Sequence, residues 1–77
     1  MKVKVLLFAG LREKAGQSEV LLDLPAGSSL SAIRKNLNLE ITTWSSLAFA
    51  VNETYVPSET FLKEGDEVAL IPPVAGG

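Results

Sequence analysis

The sequence predicts an α+β fold in which a mixed β-sheet packs against one main helix. Three observations support this: a period-two apolar pattern at the start of the chain, a second apolar run soon after it, and one segment whose apolar spacing changes to three and four residues. A chain of 77 residues makes one domain with one small core. We therefore expect a single domain over residues 1–77 that ends in a flexible tail at 72–77.

The first two strands are predicted to form a hairpin. Strand one covers residues 2–9, because every second residue over 3–7 is valine or leucine and these side chains share one face. The run EVLLDL at 19–24 is the second strand, and the polar segment GLREKAGQS at 10–18 is predicted to be a long connection between them. Gly16 is expected to supply a positive φ in that connection.

One helix is predicted within PAGSSLSAIRKNL at 25–37, with Ser28 or Ser29 as its N-cap. Its apolar residues recur at helical spacing: Leu30, Ile33 and Leu37. The following stretch NLEITTW at 38–44 has no clear period and is predicted to be irregular, with Trp44 in a packing role.

Three more strands complete the prediction. SLAFAVN at 46–52 is typical of a buried strand, ETYVP at 53–57 of a short edge strand closed by Pro57, and GDEVALIP at 65–72 of a final strand that follows a glycine turn. A hairpin, a helix and further strands suit a sheet in which the helix crosses over and the last strand lies beside the first. The order β-β-α-β-(β)-β therefore predicts the β-grasp, or ubiquitin-like, architecture.

Composition excludes most of the usual catalytic groups. The chain has no Cys and no His, so it offers no thiolate nucleophile, no imidazole base and no zinc site of the ordinary kind. The acidic group KEGDE at 63–67 is better explained as a solvated turn than as an acid/base pair, and the serines lack a histidine to activate them. We expect no metal, and no catalysis by the chain alone.

Charge and hydropathy argue against two classes of partner, nucleic acids and membranes. Seven basic and nine acidic residues give a net charge of −2, and the basic residues are scattered, which argues against nucleic acid. The apolar run at 5–9 is too short for the core of a signal peptide, and nothing approaches the roughly 18 residues of a membrane span. We expect a soluble, cytoplasmic protein that does not bind a membrane.

The ending LIPPVAGG at 70–77 suggests chemistry at Gly77. An α-carboxylate is ionised at neutral pH and is a poor electrophile, so it must first be activated. Adenylation by ATP on a separate enzyme would give a mixed anhydride, and a sulfur donor that displaces AMP would leave a thiocarboxylate. The chain would then carry sulfur without a cysteine, with no bound cofactor and with ATP consumed by the activating enzyme.

The residues before Gly77 suit delivery into another protein. Gly76 and Gly77 lack a Cβ, so the backbone can enter a narrow channel, whereas Pro72 and Pro73 favour a stiff, extended exit from the sheet. Six residues from Pro72 to Gly77 reach roughly 20 Å at about 3.3 Å each. That length is enough to cross into a partner's active site.

The sheet is also predicted to expose an apolar patch. If the valines of the first and last strands point inward, Leu6, Phe8 and Ile71 point outward, with Tyr55 adjoining. Monomeric proteins usually avoid such patches, so these residues are candidates for partner docking. The alternative is that the connection at 10–18 folds over them.

Three segments resemble the small, sulfur-carrying subunits of molybdopterin synthase, a ubiquitin-like family. They are FAGLREKAG at 8–16, AVNETYV at 50–56 and LKEGDEVALIPPVAGG at 62–77, and together they span essentially the whole chain. The resemblance implies a sulfur carrier for molybdenum cofactor biosynthesis, whose Gly77 thiocarboxylate donates sulfur to a pterin precursor.

The same resemblance implies three partners: the large subunit of the synthase, an adenylating enzyme of the ubiquitin-activating type and a sulfurtransferase as sulfur source. The expected partner-binding residues share positions on the outward face or in the tail: Leu6, Phe8, Tyr55, Ile71 and Val74. Three alternatives stay open at this point. They are a carrier for thiamine or tRNA thiolation, a protein-modifying tag joined to lysine through Gly77, and a plain binding module whose glycines are idle.

Overall fold

The computed structural model describes residues 1–37, 41 and 44–73. The elements in chain order are β1 (Lys2–Leu7), α1 (Ala9–Ala15), β2 (Glu19–Asp23), α2 (Leu30–Asn36), a 3₁₀ turn (Trp44–Ser46), β3 (Ala48–Val51), β4 (Thr54–Val56) and β5 (Glu67–Ile71). The strands form one sheet in the order β2-β1-β5-β3-β4. β1 is antiparallel to β2 and parallel to β5, and β3 is antiparallel to both β5 and β4. The mixed sheet and the neighbouring first and last strands confirm the predicted β-grasp arrangement.

The core lies between one face of the sheet and α2. The alternating pattern of β1 buries Val3, Val5 and Leu7 to 1% exposure or less, and β5 alternates in the same way. Leu30 and Ile33 of α2 are fully buried against this face, as their spacing predicted. Because every second residue of β1 and β5 points into the core, the residues between them must form the opposite, outer face of the sheet.

The predicted hairpin of the first two strands is confirmed, since β1 and β2 pair antiparallel, but the connection at 10–18 contains a helix that the sequence did not predict. Helix α1 covers Ala9–Ala15 and ends at Gly16, whose amide donates to the Arg12 carbonyl at 2.9 Å. Gly16 has the expected positive φ, 74°, but uses it to cap a helix. Leu11 is the one residue of α1 that is buried, so the segment gives no apolar period by which a helix could be recognised.

Ser29 occupies the N-cap position of α2, in agreement with one of the two predicted caps. Its hydroxyl does not cap the helix, and its Oγ instead lies 2.9 Å from the Oγ of Ser31. Ser28 donates from its hydroxyl to the Pro25 carbonyl at 2.7 Å and so closes the turn before the helix. Trp44 is buried, as predicted, and its ring lies 5.1 Å from that of Phe49.

A two-residue turn joins β3 to β4 at Asn52 and Glu53. Both residues have positive φ, 50° and 70°, which defines the tight turn that matches the twist of a hairpin. Asparagine tolerates this conformation, whereas a glutamate in the second position is unusual because glycine normally occupies it. The turn places Glu53 beside the outer face of the sheet.

The turn before β5 corrects the interpretation of KEGDE as simply solvated. Asp66 is 8% exposed and accepts two hydrogen bonds, from the Asn52 side-chain amide at 2.9 Å and from the Lys63 backbone amide at 2.8 Å. Asn52 in turn accepts from the Glu67 amide at 3.0 Å. Asp66 therefore ties the β3–β4 turn to the start of β5, which is a structural role and not a catalytic one.

Replacing Asp66 with alanine should lower the free energy of unfolding by about 2–3 kcal/mol, because both donors lose a charged, largely buried acceptor. Urea unfolding measures the change. Glu59→Ala is the matched control, since Glu59 is an exposed carboxylate without a described contact, and it should change stability by less than about 0.5 kcal/mol. Equal stability of the two variants would show that the Asp66 contacts do not hold the turns together.

Candidate docking face and tail exit

The chain leaves the sheet directly after Ile71, the last residue of β5. Pro72 is half-buried and Pro73 is exposed, so exposure to solvent increases beyond the end of β5. Neither proline has an amide proton, and neither can extend the ladder between β5 and its neighbours. The other predicted tail residues, Val74, Gly76 and Gly77, lie outside the described residues, so their roles remain predictions.

The outer face of the sheet carries an apolar surface next to this exit, which we call the outer patch. The strand register sets four of its residues in one row across the sheet: Leu6, Ala69, Ala50 and Tyr55. Phe8 follows β1 in an extended conformation, and Ile71 ends β5, so both lie beside this row on the side of the tail. The six residues line one concavity of about 310 Å³.

The outer patch contains all the predicted partner-binding residues that the structure describes. Tyr55 is 73% exposed and Phe8 is 44% exposed, whereas Leu6 and Ile71 are half-buried at the floor of the concavity. The inward and outward faces are therefore assigned as the alternation predicted. The alternative in which 10–18 folds over the patch does not hold, since no residue of that segment lines the concavity and α1 turns Leu11 into the core.

Three residues of this surface are not predicted from the sequence. Ala50 was assigned to a buried strand without a face, and the register with Ala69 shows that it belongs to the floor of the concavity. Glu53 and Glu67 line the same concavity, although both were interpreted only as strand or turn residues. The period-two alternation of β5 could have placed Glu67 on the outer face, but the turn that brings Glu53 there has no glycine to reveal it.

A second concavity, of about 420 Å³, lies between the 3₁₀ turn and β4. Trp44, Phe49 and Val56 line it together with two serines, and the chain has no His to make a serine nucleophilic. Within residues 1–37, 41 and 44–73, no group of three or more acidic, His or Cys side chains could hold a metal ion. No helix in the same ranges is long and apolar enough to cross a bilayer.

The chain is similar in sequence and in structure to small subunits of molybdopterin-synthesising enzymes. The chain is 39% identical to the molybdopterin synthase sulfur carrier subunit of Escherichia coli (strain K12), over 97% of this chain and 99% of the relative. The structure of a molybdopterin converting factor subunit 1 from Pyrococcus furiosus superposes with a TM-score of 0.78 at 30% identity, over 96% of this chain and 99% of that one.

Two further solved structures match this chain over its full length and over the full length of their own chains. One belongs to a protein–protein complex of subunits 1 and 2 of the molybdopterin-converting factor from Helicobacter pylori, with a TM-score of 0.67 and 27% identity. The other is SAMP1, a protein of Haloferax volcanii, with a TM-score of 0.81 and 25% identity. The model of the ThiS family matches residues 5–77, and the chain therefore belongs to the ThiS family.

Proposed function

We propose that this protein is the sulfur-carrier subunit of a molybdopterin synthase, and that the α-carboxyl group of Gly77 carries the sulfur. The observation that supports this most strongly is similarity at 39% identity to a molybdopterin synthase sulfur carrier subunit over nearly the whole length of both chains. The geometry agrees with it, because the outer patch lies beside the point where the tail leaves the sheet. A partner that covers the patch would receive the tail.

The chemistry requires two activating steps outside this chain. The Gly77 carboxylate attacks the α-phosphorus of ATP on an adenylating enzyme, and pyrophosphate leaves. A hydrosulfide equivalent from a sulfurtransferase then attacks the carbonyl carbon, and AMP leaves to give the thiocarboxylate. The chain contributes the acyl group and its delivery, and it needs no bound cofactor for either step.

Delivery takes place in the large subunit of the synthase. Sulfur passes to the pterin precursor there, and hydrolysis of the acyl group returns the Gly77 carboxylate, with water supplying the oxygen. The proposal assigns the residues that promote this step to the large subunit, since this chain has no His and no Cys to act as base or nucleophile. The solved complex of subunits 1 and 2 from Helicobacter pylori supports such a pairing. The site of the reaction is predicted to be the cytoplasm.

A second candidate function is protein modification, in which the activated Gly77 carboxyl forms an isopeptide bond with a lysine. The observation in its favour is similarity to the small archaeal modifier protein 1 of Methanosarcina acetivorans, with a TM-score of 0.69 and 31% identity over 99% of this chain and 96% of that one. The two functions share the adenylate and differ in the nucleophile that attacks it. Sulfur leaves a free carrier, whereas a lysine leaves a conjugate of larger mass.

Reconstitution distinguishes these functions. The purified chain is incubated with ATP, its adenylating enzyme, a sulfurtransferase and the large subunit, and conversion of a sulfur-free pterin precursor is followed. We expect conversion that depends on ATP and on this chain, without ligation of the chain to other proteins. Ligation to lysines without conversion of the precursor would favour the modifier. If neither ligation nor conversion occurred, a binding module with idle glycines would be favoured.

A further inference from the structure

Two carboxylates lie at one end of the outer patch. Glu53 and Glu67 line the same concavity as its apolar side chains. The backbone brings them together, because Asn52 in the β3–β4 turn donates its amide to the Glu67 carbonyl at 2.8 Å, and Glu53 is the next residue in that turn. The patch is therefore an apolar surface with a negative end.

This negative end lies away from the tail. β5 runs from Glu67 to Ile71 and the tail leaves after Ile71, so the four intervening steps of a strand separate Glu67 from the exit by roughly 13 Å. Phe8 and Ile71 lie at the tail end of the patch, and the carboxylates lie at the other. Because the two ends of the patch differ, a partner that covers the whole patch can match it in only one orientation relative to the tail exit.

Neither carboxylate is neutralised within the described part of the chain. The side chains of Glu53 and Glu67 accept no hydrogen bond and form no ion pair there, although the described residues include several such contacts for other carboxylates. Lys4 is the neighbour of Glu67 in the register of β1 with β5, but the two form no ion pair. Both negative charges are consequently available to a partner.

Covering the patch would remove water from these groups. Glu67 is already half-buried in the free protein, and a partner seated on the neighbouring apolar residues would take it further from solvent. Burial of an unpaired carboxylate is strongly unfavourable, and it is tolerated in interfaces when the partner supplies a cation with hydrogen-bond donors. An entirely apolar partner surface would therefore be opposed by the two carboxylates.

We propose that the surface of the large subunit that covers the outer patch carries an arginine which binds Glu53 and Glu67, and that this contact sets the direction in which the tail enters its active site. The inference rests on the proposed function, whose large subunit is the partner. Arginine is favoured over lysine because its planar guanidinium group can donate to two carboxylates at once. The glutamate at φ 70°, where glycine is usual, fits a residue kept for its side chain.

The test is the affinity of the cognate large subunit for the charge-neutral variants Glu53→Gln and Glu67→Gln and for the double variant. At low salt we expect each single variant to bind roughly fivefold more weakly and the double variant at least about 20-fold more weakly. The differences should shrink at about 0.5 M salt, where the Debye length is only a few ångströms. Glu59→Gln removes the same charge from an exposed position outside the patch and should bind like the natural protein.

A second readout separates a docking contact from a fault in the chemistry. With thiocarboxylated carrier as the varied substrate, the double variant should raise KM and leave kcat unchanged. Unaltered affinity of the double variant at low salt, or an equal loss in Glu59→Gln, would overturn the inference. If Phe8→Ala still weakens binding in that case, the docking face stands and only the arginine contact is wrong, whereas absence of any sulfur transfer would instead refute the proposed function. Urea midpoints confirm that each variant is folded.

Discussion

Removal of Gly77 should abolish sulfur transfer and leave the melting temperature almost unchanged. The core is formed by the sheet and α2, and the last core residue of β5 is Leu70, so a change beyond Pro73 removes no described core contact. Adding one residue after Gly77 should have the same effect, because the carboxyl group is then displaced. Precursor conversion by the large subunit and thermal unfolding are measured on the same samples.

Gly76→Val is the control that separates the reactive group from access to it. This variant keeps the Gly77 carboxyl group but adds a β-branched side chain that restricts the backbone and widens the tail. It should slow adenylation or entry into the large subunit without changing the melting temperature. Native transfer rates in the variant that lacks Gly77 would exclude its carboxyl group as the sulfur carrier, and the chain has no cysteine to take its place.

Phe8→Ala and Ile71→Asp should weaken binding of the large subunit or the adenylating enzyme by about 2 kcal/mol or more, as the loss of a central apolar anchor does. Both residues line the outer patch, so the core should stay intact and unfolding should remain cooperative. The Phe8 carbonyl accepts from the Leu11 amide at the start of α1, and alanine keeps this backbone contact. Calorimetric titration gives the affinities.

Phe61→Ala is the matched control for this prediction. Phe61 is 72% exposed, yet it lies outside the outer patch, in the isolated bridge with Ser29. An exposed phenylalanine outside the docking face should be neutral for binding. If Phe8→Ala and Phe61→Ala gave the same affinity as the natural protein, the outer patch would not be the docking face.

The sequence was sufficient to predict the sheet, its inward face and the exposed patch, because these follow from alternation. Val3, Val5 and Leu7 recur with period two, and once they are assigned to the core, Leu6 and Phe8 can only point outward. The main helix was equally visible, since Leu30 and Ile33 have helical spacing. Patterns of this kind are repeated several times, so a single irregular residue does not hide them.

Features that depend on one residue or on long-range contacts were not predictable. Helix α1 buries only Leu11, so its sequence shows no helical period of apolar residues. The contact of Leu11 with the core depends on the rest of the fold, which the local sequence does not reveal. In the sequence Asp66 is one of several charges in a polar turn, and only the fold brings the Asn52 side-chain amide to 2.9 Å from its carboxylate. Glu53 reaches the outer face through a turn that lacks the usual glycine, so no sequence signal marked it.

The mass of the C-terminal fragment of the protein isolated from cells tests the central claim most directly. The account predicts a population whose fragment containing Gly77 is heavier by the difference between one sulfur and one oxygen atom, as a thiocarboxylate requires. Fragment ions must place the added mass at Gly77, because oxidation of Met1 changes the intact mass by nearly the same amount. The population should vanish when the adenylating enzyme is absent. A Gly77 carboxyl group that is unmodified in cells with active molybdopterin synthesis, or that is found only in bonds to lysine, would contradict the account.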